Sequence, residues 1–168
     1  MKKLFVLLLI LSLLLSGCGK PQSFITTLKF YYPLHVTDYA LGSSYIQPEL
    51  REGAGTGDSL ANMLNLYLKG PINQITYRMP FQYNTQVVSI SRDTMMLDIT
   101  LTRGFATYTG LDLTVACACI TMTCLELTDV EVVRIRAKDS TLDGAEFIEM
   151  SAKSLLLVDF GTDSEEVK

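Results

Sequence analysis

Residues 85–102 read "TQVVSISRDTMMLDITLT". Two apolar series at period two, Val88 and Ile90 and then Leu97, Ile99 and Leu101, flank the polar pair Arg92-Asp93. Alternation of this kind puts one set of side chains on a single face of a pleated strand, and a polar break between two such sets marks a hairpin. The spacing predicts two strands about a turn at Arg92-Asp93, with Met95-Met96 as adaptable core filling. Directly downstream the period changes. Leu113, Cys117, Ile120, Cys124 and Leu127 are separated by four, three, four and three residues, the stripe of an amphipathic helix over residues 112–127. Strands and helices mixed with hairpins, rather than strict strand-helix alternation, indicate an α+β layer fold.

The flanking sequence fits the same class. "TLKFYYP" (27–33) alternates Leu28, Phe30 and Tyr32 and ends at Pro33, a strand. "SYIQPELRE" (44–52) is a weaker strand that Pro48 demotes to an edge or a bulge. Next come the glycines Gly53, Gly55 and Gly57, with Asp58 or Ser59 as N-cap of a helix carrying Leu60, Met63, Leu64, Tyr67 and Leu68 and stopped by Gly70-Pro71. "VEVVRIRAK" sets Val130, Val132 and Arg134 against Glu131, Val133 and Ile135, and "SLLLVDF" (154–160) reads as a final buried strand.

The three cysteines of the second helix invite a metal or redox reading. At about 100° per residue Cys117 and Cys124 share a face, about 10 Å apart along the axis, while Cys119 is rotated by about 200° from Cys117. They neither converge on one ion nor reach each other for a disulfide, whose Cα atoms lie within about 7 Å. Zinc would need a fourth ligand, for which only His35 is at hand. No metal site is expected; small buried apolar roles are, with Cys119, on the helix flank, as a candidate for cross-linking to a partner.

The N-terminus sets the compartment. Lys2 and Lys3, an apolar run over residues 4–15 and Ser16-Gly17-Cys18 have the order of a signal peptide. The run is shorter than the roughly twenty residues of a spanning helix. Small residues before a cysteine resemble the lipobox of bacterial lipoproteins. That resemblance implies cleavage between Gly17 and Cys18 and a diacylglyceryl thioether on Cys18. Two acyl chains hold a protein at a bilayer where one is marginal. The expected organisation is a signal peptide at 1–17, a short tether at 18–26, one domain at 27–160 and an acidic tail at 161–168, the protein facing the extracytoplasmic side of the cell membrane.

The chain carries 14 Lys and Arg against 18 Asp and Glu, a net charge of −4; without residues 1–17 it loses Lys2 and Lys3 and the balance becomes 12 against 18, or −6. Such a balance disfavours nucleic acid as a partner and head-group binding by overall charge. The glycine loop lacks the Lys and Ser or Thr of a phosphate cradle and is followed by Asp58, which would repel an anion. His35 stands in no catalytic motif. Glu49 and Glu52 about Arg51 read as a solvated charge cluster. Arg134 and Arg136 lie on the outward side of a half-buried strand, where an acidic partner surface or solvent would meet them.

The order "LKFYYP", "PELREG", a helix ending "YLKGP", "MP", "TQVVSISRDTMMLDIT", a helix and "TDVEVVRIRA" resembles the GerMN domain of bacterial sporulation and germination lipoproteins. Leu68-Lys69-Gly70-Pro71 is similar to the Gly-Pro that ends that family's first helix, Met79-Pro80 to its Pro after the loop, Leu97-Asp98-Ile99 to its hydrophobic-Asp strand and Val130 to Val133 to the strand after its second helix. The resemblance covers residues 27–138 and implies two helices over a small antiparallel or mixed sheet, similar to the ring-building motif. The family often carries two copies or an appended module; here one copy is followed by a further segment at 139–160. Together these readings lead to a non-catalytic, lipid-anchored domain mediating protein-protein assembly at the cell envelope, in sporulation or germination by the resemblance. No cofactor is expected. The expected partners are the membrane, envelope or sporulation proteins and further copies of the chain. A small ligand-binding lipoprotein serving a transporter and a thiol enzyme are the alternatives.

Overall fold

The computed structural model describes residues 27–35, 44–52 and 59–155. Cys18, the glycine loop, the acidic tail and the strand expected over 154–160, apart from Ser154 and Leu155, lie outside the described residues. Strand β1 (Thr27–Pro33) pairs antiparallel with β2 (Ile46–Glu52) in a two-stranded sheet, Tyr31 facing Pro48. Both strands of such a sheet are edges, which is where a strand proline belongs. Helix α1 (Leu60–Leu68) starts at Ser59, whose hydroxyl accepts from the Asn62 amide. It ends at Gly70, whose φ of +99° favours glycine; a Cβ there would also run into the Met79 sulfur.

The second sheet has the order β3-β4-β5-β6, from β3 (Val87–Asp93), β4 (Met96–Leu101), β5 (Val132–Ala137) and β6 (Ile148–Ser151). The hairpin β3-β4 is present, but its turn is Thr94-Met95, two residues beyond the expected position, with Thr94 at a φ of +52°. A bulge between Val87 and Ser89 changes the phase of β3. Val88, expected in the core, is consequently exposed, and Val87 and Ile90 pack against the core instead. Met95 sits at the turn, 39% exposed, and its carbonyl accepts from the Glu131 and Val132 amides, so it is not core filling.

Between β4 and β5 the chain passes through a 3-10 turn (Arg103–Thr107) and helix α2 (Gly110–Leu127). Because β5 returns parallel to β4, the connection has to be a crossover, and α2 supplies it. Helix α2 packs against β1 of the small sheet and against β5 and β6 of the large one. Sandwiched in this way it is buried around most of its circumference, from Leu113 to Cys124, and the expected single apolar stripe is too narrow a description. Cys119 is accordingly fully buried, not on an accessible flank, and the expected cross-link to a partner is withdrawn. By length and composition α2 would suffice to span a bilayer; here its apolar surface is covered by two sheets. Strand β6, in the segment beyond residue 138, completes a mixed sheet with Arg134 opposite Glu149. Among the described residues the architecture is α+β, two helices with a two-stranded and a four-stranded mixed sheet.

Candidate functional site

The densest polar construction lies on β2, where the sequence reading had placed a solvated charge cluster. Glu49 and Arg51 are buried, while Leu50 between them is 63% exposed. Residues two apart on a strand share a face, and this face meets Phe30 and Tyr32 of β1 and Tyr67 of α1. Arg51 Nε donates to Glu49 Oε2 at 2.7 Å, and its Nη2 donates to the Tyr32 hydroxyl at 3.1 Å and to the Gly70 carbonyl at 2.6 Å. The guanidinium also lies 4.9 Å from the centroid of the Phe30 ring. Glu49 accepts from the backbone amides of Ile72 at 3.2 Å and Asn73 at 2.8 Å. Tyrosines extend the network: Tyr32 donates to the Tyr67 carbonyl at 2.7 Å and Tyr67 to the Tyr31 carbonyl at 3.0 Å. Burial pushes both phenols above their ordinary range.

The object of this network is the loop after α1. Arg51 holds Gly70 and Glu49 holds the next two amides; Asn73 Oδ1 then accepts from the amides of Ile75 and Thr76. From the other side the His35 amide donates to the Thr76 carbonyl at 3.0 Å, the His35 ring Nε2 lies 3.1 Å from the Gln74 carbonyl, and the Arg78 amide donates to Pro33. The result is a braced loop, residues 71–76, presenting Ile72 and Ile75 at 77% and 91% exposure. His35 thus serves as a loop brace. The carboxylate and guanidinium are engaged by each other, by the Tyr32 hydroxyl and by this chain's own backbone, so the arrangement is one of support.

The other sequence candidates are dispersed. Arg134 and Arg136 do point outward from β5, but their acidic partners are intramolecular. Arg134 meets Glu149 at 2.9 Å and Asp98 at 3.8 Å; Arg136 meets Asp98 at 3.3 Å and Glu146 at 2.5 Å. Phe147 lies under both, 4.4 and 4.9 Å from the guanidinium carbons. As charges held in a ladder across β4, β5 and β6 they are poor anchors for a separate acidic surface. The thiols of Cys117, Cys119 and Cys124 are free and buried; desolvation pushes Cys117 up to about 12 and raises the other two as well. A nucleophilic cysteine has the opposite shift. Among the described residues no three His, Cys, Asp or Glu side chains are placed to hold a metal ion. Two shallow grooves, of about 460 and 300 Å³, meet at Leu125 and Ala152 beside the end of α2.

The first GerMN domain of the sporulation protein GerM from Bacillus subtilis superposes with a TM-score of 0.58 at 15% identity, over 76% of this chain and 98% of that one. The fold is GerMN-like. The tandem GerMN domains of the same protein give a TM-score of 0.56 at 16% identity, over 81% of this chain, which spans 48% of that structure. A Clostridium perfringens protein provisionally classed as a lipoprotein gives 0.46 at 14% identity, over 82% of this chain and 94% of that one. No family profile matches the sequence, and no curated protein does. The fold is what the two GerM structures share with this chain.

The Glu49-Arg51 pair is what the sequence reading missed. The one signal available was the inversion itself, Glu-Leu-Arg on a strand opposite Leu28 and Phe30: the pairing that puts Leu28 and Phe30 inward carries Arg51 and Glu49 inward with them.

Proposed function

We propose that the chain is a non-catalytic lipoprotein domain, held by a diacylglyceryl group on Cys18 at the outer face of the cytoplasmic membrane, where it takes part in protein-protein assembly of the cell envelope, in sporulation or germination. The observation that carries this reading is the GerMN-like fold, whose structural relatives include a sporulation protein. The lipobox order of residues 2–18 supports the anchor. Anchoring confines the search for partners to a surface and raises their effective concentration without a large interface.

The test is Cys18→Ser in a spore-forming host fed labelled fatty acid. Wild-type protein takes up label and enters the detergent phase on phase separation; the variant takes up none and accumulates as uncleaved precursor. Wild-type protein that is unlabelled and wholly aqueous refutes the anchor. Deleting the gene is expected to lower the yield of heat-resistant spores; unchanged spore yield and germination refute the developmental role and leave the anchor standing.

A further inference from the structure

Residues 59–92 contain no Asp or Glu, in a chain with 18 of them, and their charged residues are Lys69, Arg78 and Arg92. The same stretch supplies Leu66, Ile72, Ile75, Tyr83 and Val88, most of the large apolar side chains exposed among the described residues. The apolar excess culminates in the loop at 71–76, where two isoleucines project almost free of the protein surface between Lys69 and Arg78. Tyr77 follows the loop, half-buried, its hydroxyl on the Pro48 carbonyl. Arg78 stacks on the Tyr45 ring, 5.6 Å from its centroid.

We propose that this loop is a membrane-contacting tip: Ile72 and Ile75 enter the acyl boundary of a lipid bilayer, with Lys69 and Arg78 at head-group level. Apolar residues at the apex, with aromatic and basic residues behind and no acid among them, is the composition that settles at a membrane interface. Overall negative charge would keep this protein off an anionic leaflet, and the stretch that carries the loop adds no carboxylate of its own. The brace from Glu49, Arg51 and His35 means the loop need not be ordered on insertion, which removes the usual entropic cost of binding through a loop. The proposal rests on the acyl anchor proposed above. A tether over residues 18–26 reaches about 25–30 Å when extended, so the bilayer is within range of a loop one strand-length from Thr27. The tip would then set how the domain lies on the membrane and which face it turns outward.

The chain has no tryptophan, so a single one is a clean reporter. Full-length lipidated protein carrying Ile75→Trp is reconstituted into vesicles of phosphatidylcholine and phosphatidylglycerol with brominated acyl chains. Leu111→Trp, also well exposed (77%) but next to Asp112, is the comparison. The expected result is emission from Ile75→Trp that is blue-shifted and reduced about twofold or more by the brominated lipid, with Leu111→Trp unaffected. If the protein floats with the vesicles and both reporters stay in water, the tip is wrong and the anchor stands. If the protein does not float, the anchor falls and the tip with it. If Ile75→Trp is shielded in native membranes but not in pure lipid, the loop meets a protein and the proposal is overturned.

Discussion

Replacing Arg51 with methionine keeps the length and apolar stem of the side chain while removing the cation from the interior. Its three hydrogen bonds, to Glu49, the Tyr32 hydroxyl and the Gly70 carbonyl, are lost together. The larger effect is on what stays behind, because the Glu49 side chain is 8% exposed and loses its counter-ion. Removing one member of a buried pair costs about 3–5 kcal/mol, whereas an exposed pair is worth about 1 kcal/mol or less. A destabilisation of 3–5 kcal/mol in a domain of this size lowers Tm by roughly 10–15 °C. Urea melts give the free energy, and amide exchange gives the location. Ile72 and Asn73, whose amides bond to Glu49, are expected to exchange faster than α2 amides at the same overall stability. Pairing Arg51→Met with Glu49→Leu removes the stranded charge but leaves those two amides and the Gly70 carbonyl without partners, each at about 1–3 kcal/mol. Because the stranded charge is gone, the double variant is expected to lose less than the sum of the singles, by the coupling energy of the pair. A loss below about 1 kcal/mol for Arg51→Met, with no change in exchange at the loop, refutes the view that this pair is a buried brace.

Helix α2 gives two further expectations. Thr121 is fully buried and its hydroxyl has no partner among the described residues, so the near-isosteric Thr121→Val is expected to stabilise by about 1 kcal/mol in urea melts; a loss of stability would mean the hydroxyl is bonded. The thiols predict the alkaline limb. Cys117, Cys119 and Cys124 all titrate higher in the fold than the ordinary thiol value of 9.0. Their neutral forms stabilise the fold fully below about pH 9, and the contribution is lost as pH rises past it, by up to about 1.4 kcal/mol per pH unit for each thiol. Stability measured from pH 8 to 11 should fall in that window, and less steeply in Cys117→Ala; a flat profile, or native alkylation of these thiols at pH 8, contradicts their burial.

Local patterns in the sequence foretold the class of fold because they answer to local physics. The period-two runs of β4 and β5, the 3.6-period run of α1 with its Ser59 cap and Gly70 stop, and the edge placement of Pro48 each follow from backbone geometry and the nearest neighbours. Val88 was misassigned because a bulge adds a residue to one strand at a point set by its partner, so a period read along one strand alone cannot see it. Met95 was misassigned with the hairpin turn, which slid two residues to satisfy the register of Asp93 with Met96.

What the sequence by itself determined was the elements from β1 to β5, though not β6 or the full buried surface of α2, and the acid-free stretch carrying Ile72 and Ile75. Tertiary structure alone decided that Arg134 and Arg136 find their acids within the large sheet, that Cys119 is enclosed, and that Glu49 and Arg51 go inside while Leu50 stays out. The reason is that burial is a property of what is stacked on a face. A helix between two sheets has no outer flank, and a charged pair becomes tolerable in the interior only when backbone groups from a distant loop arrive to meet it.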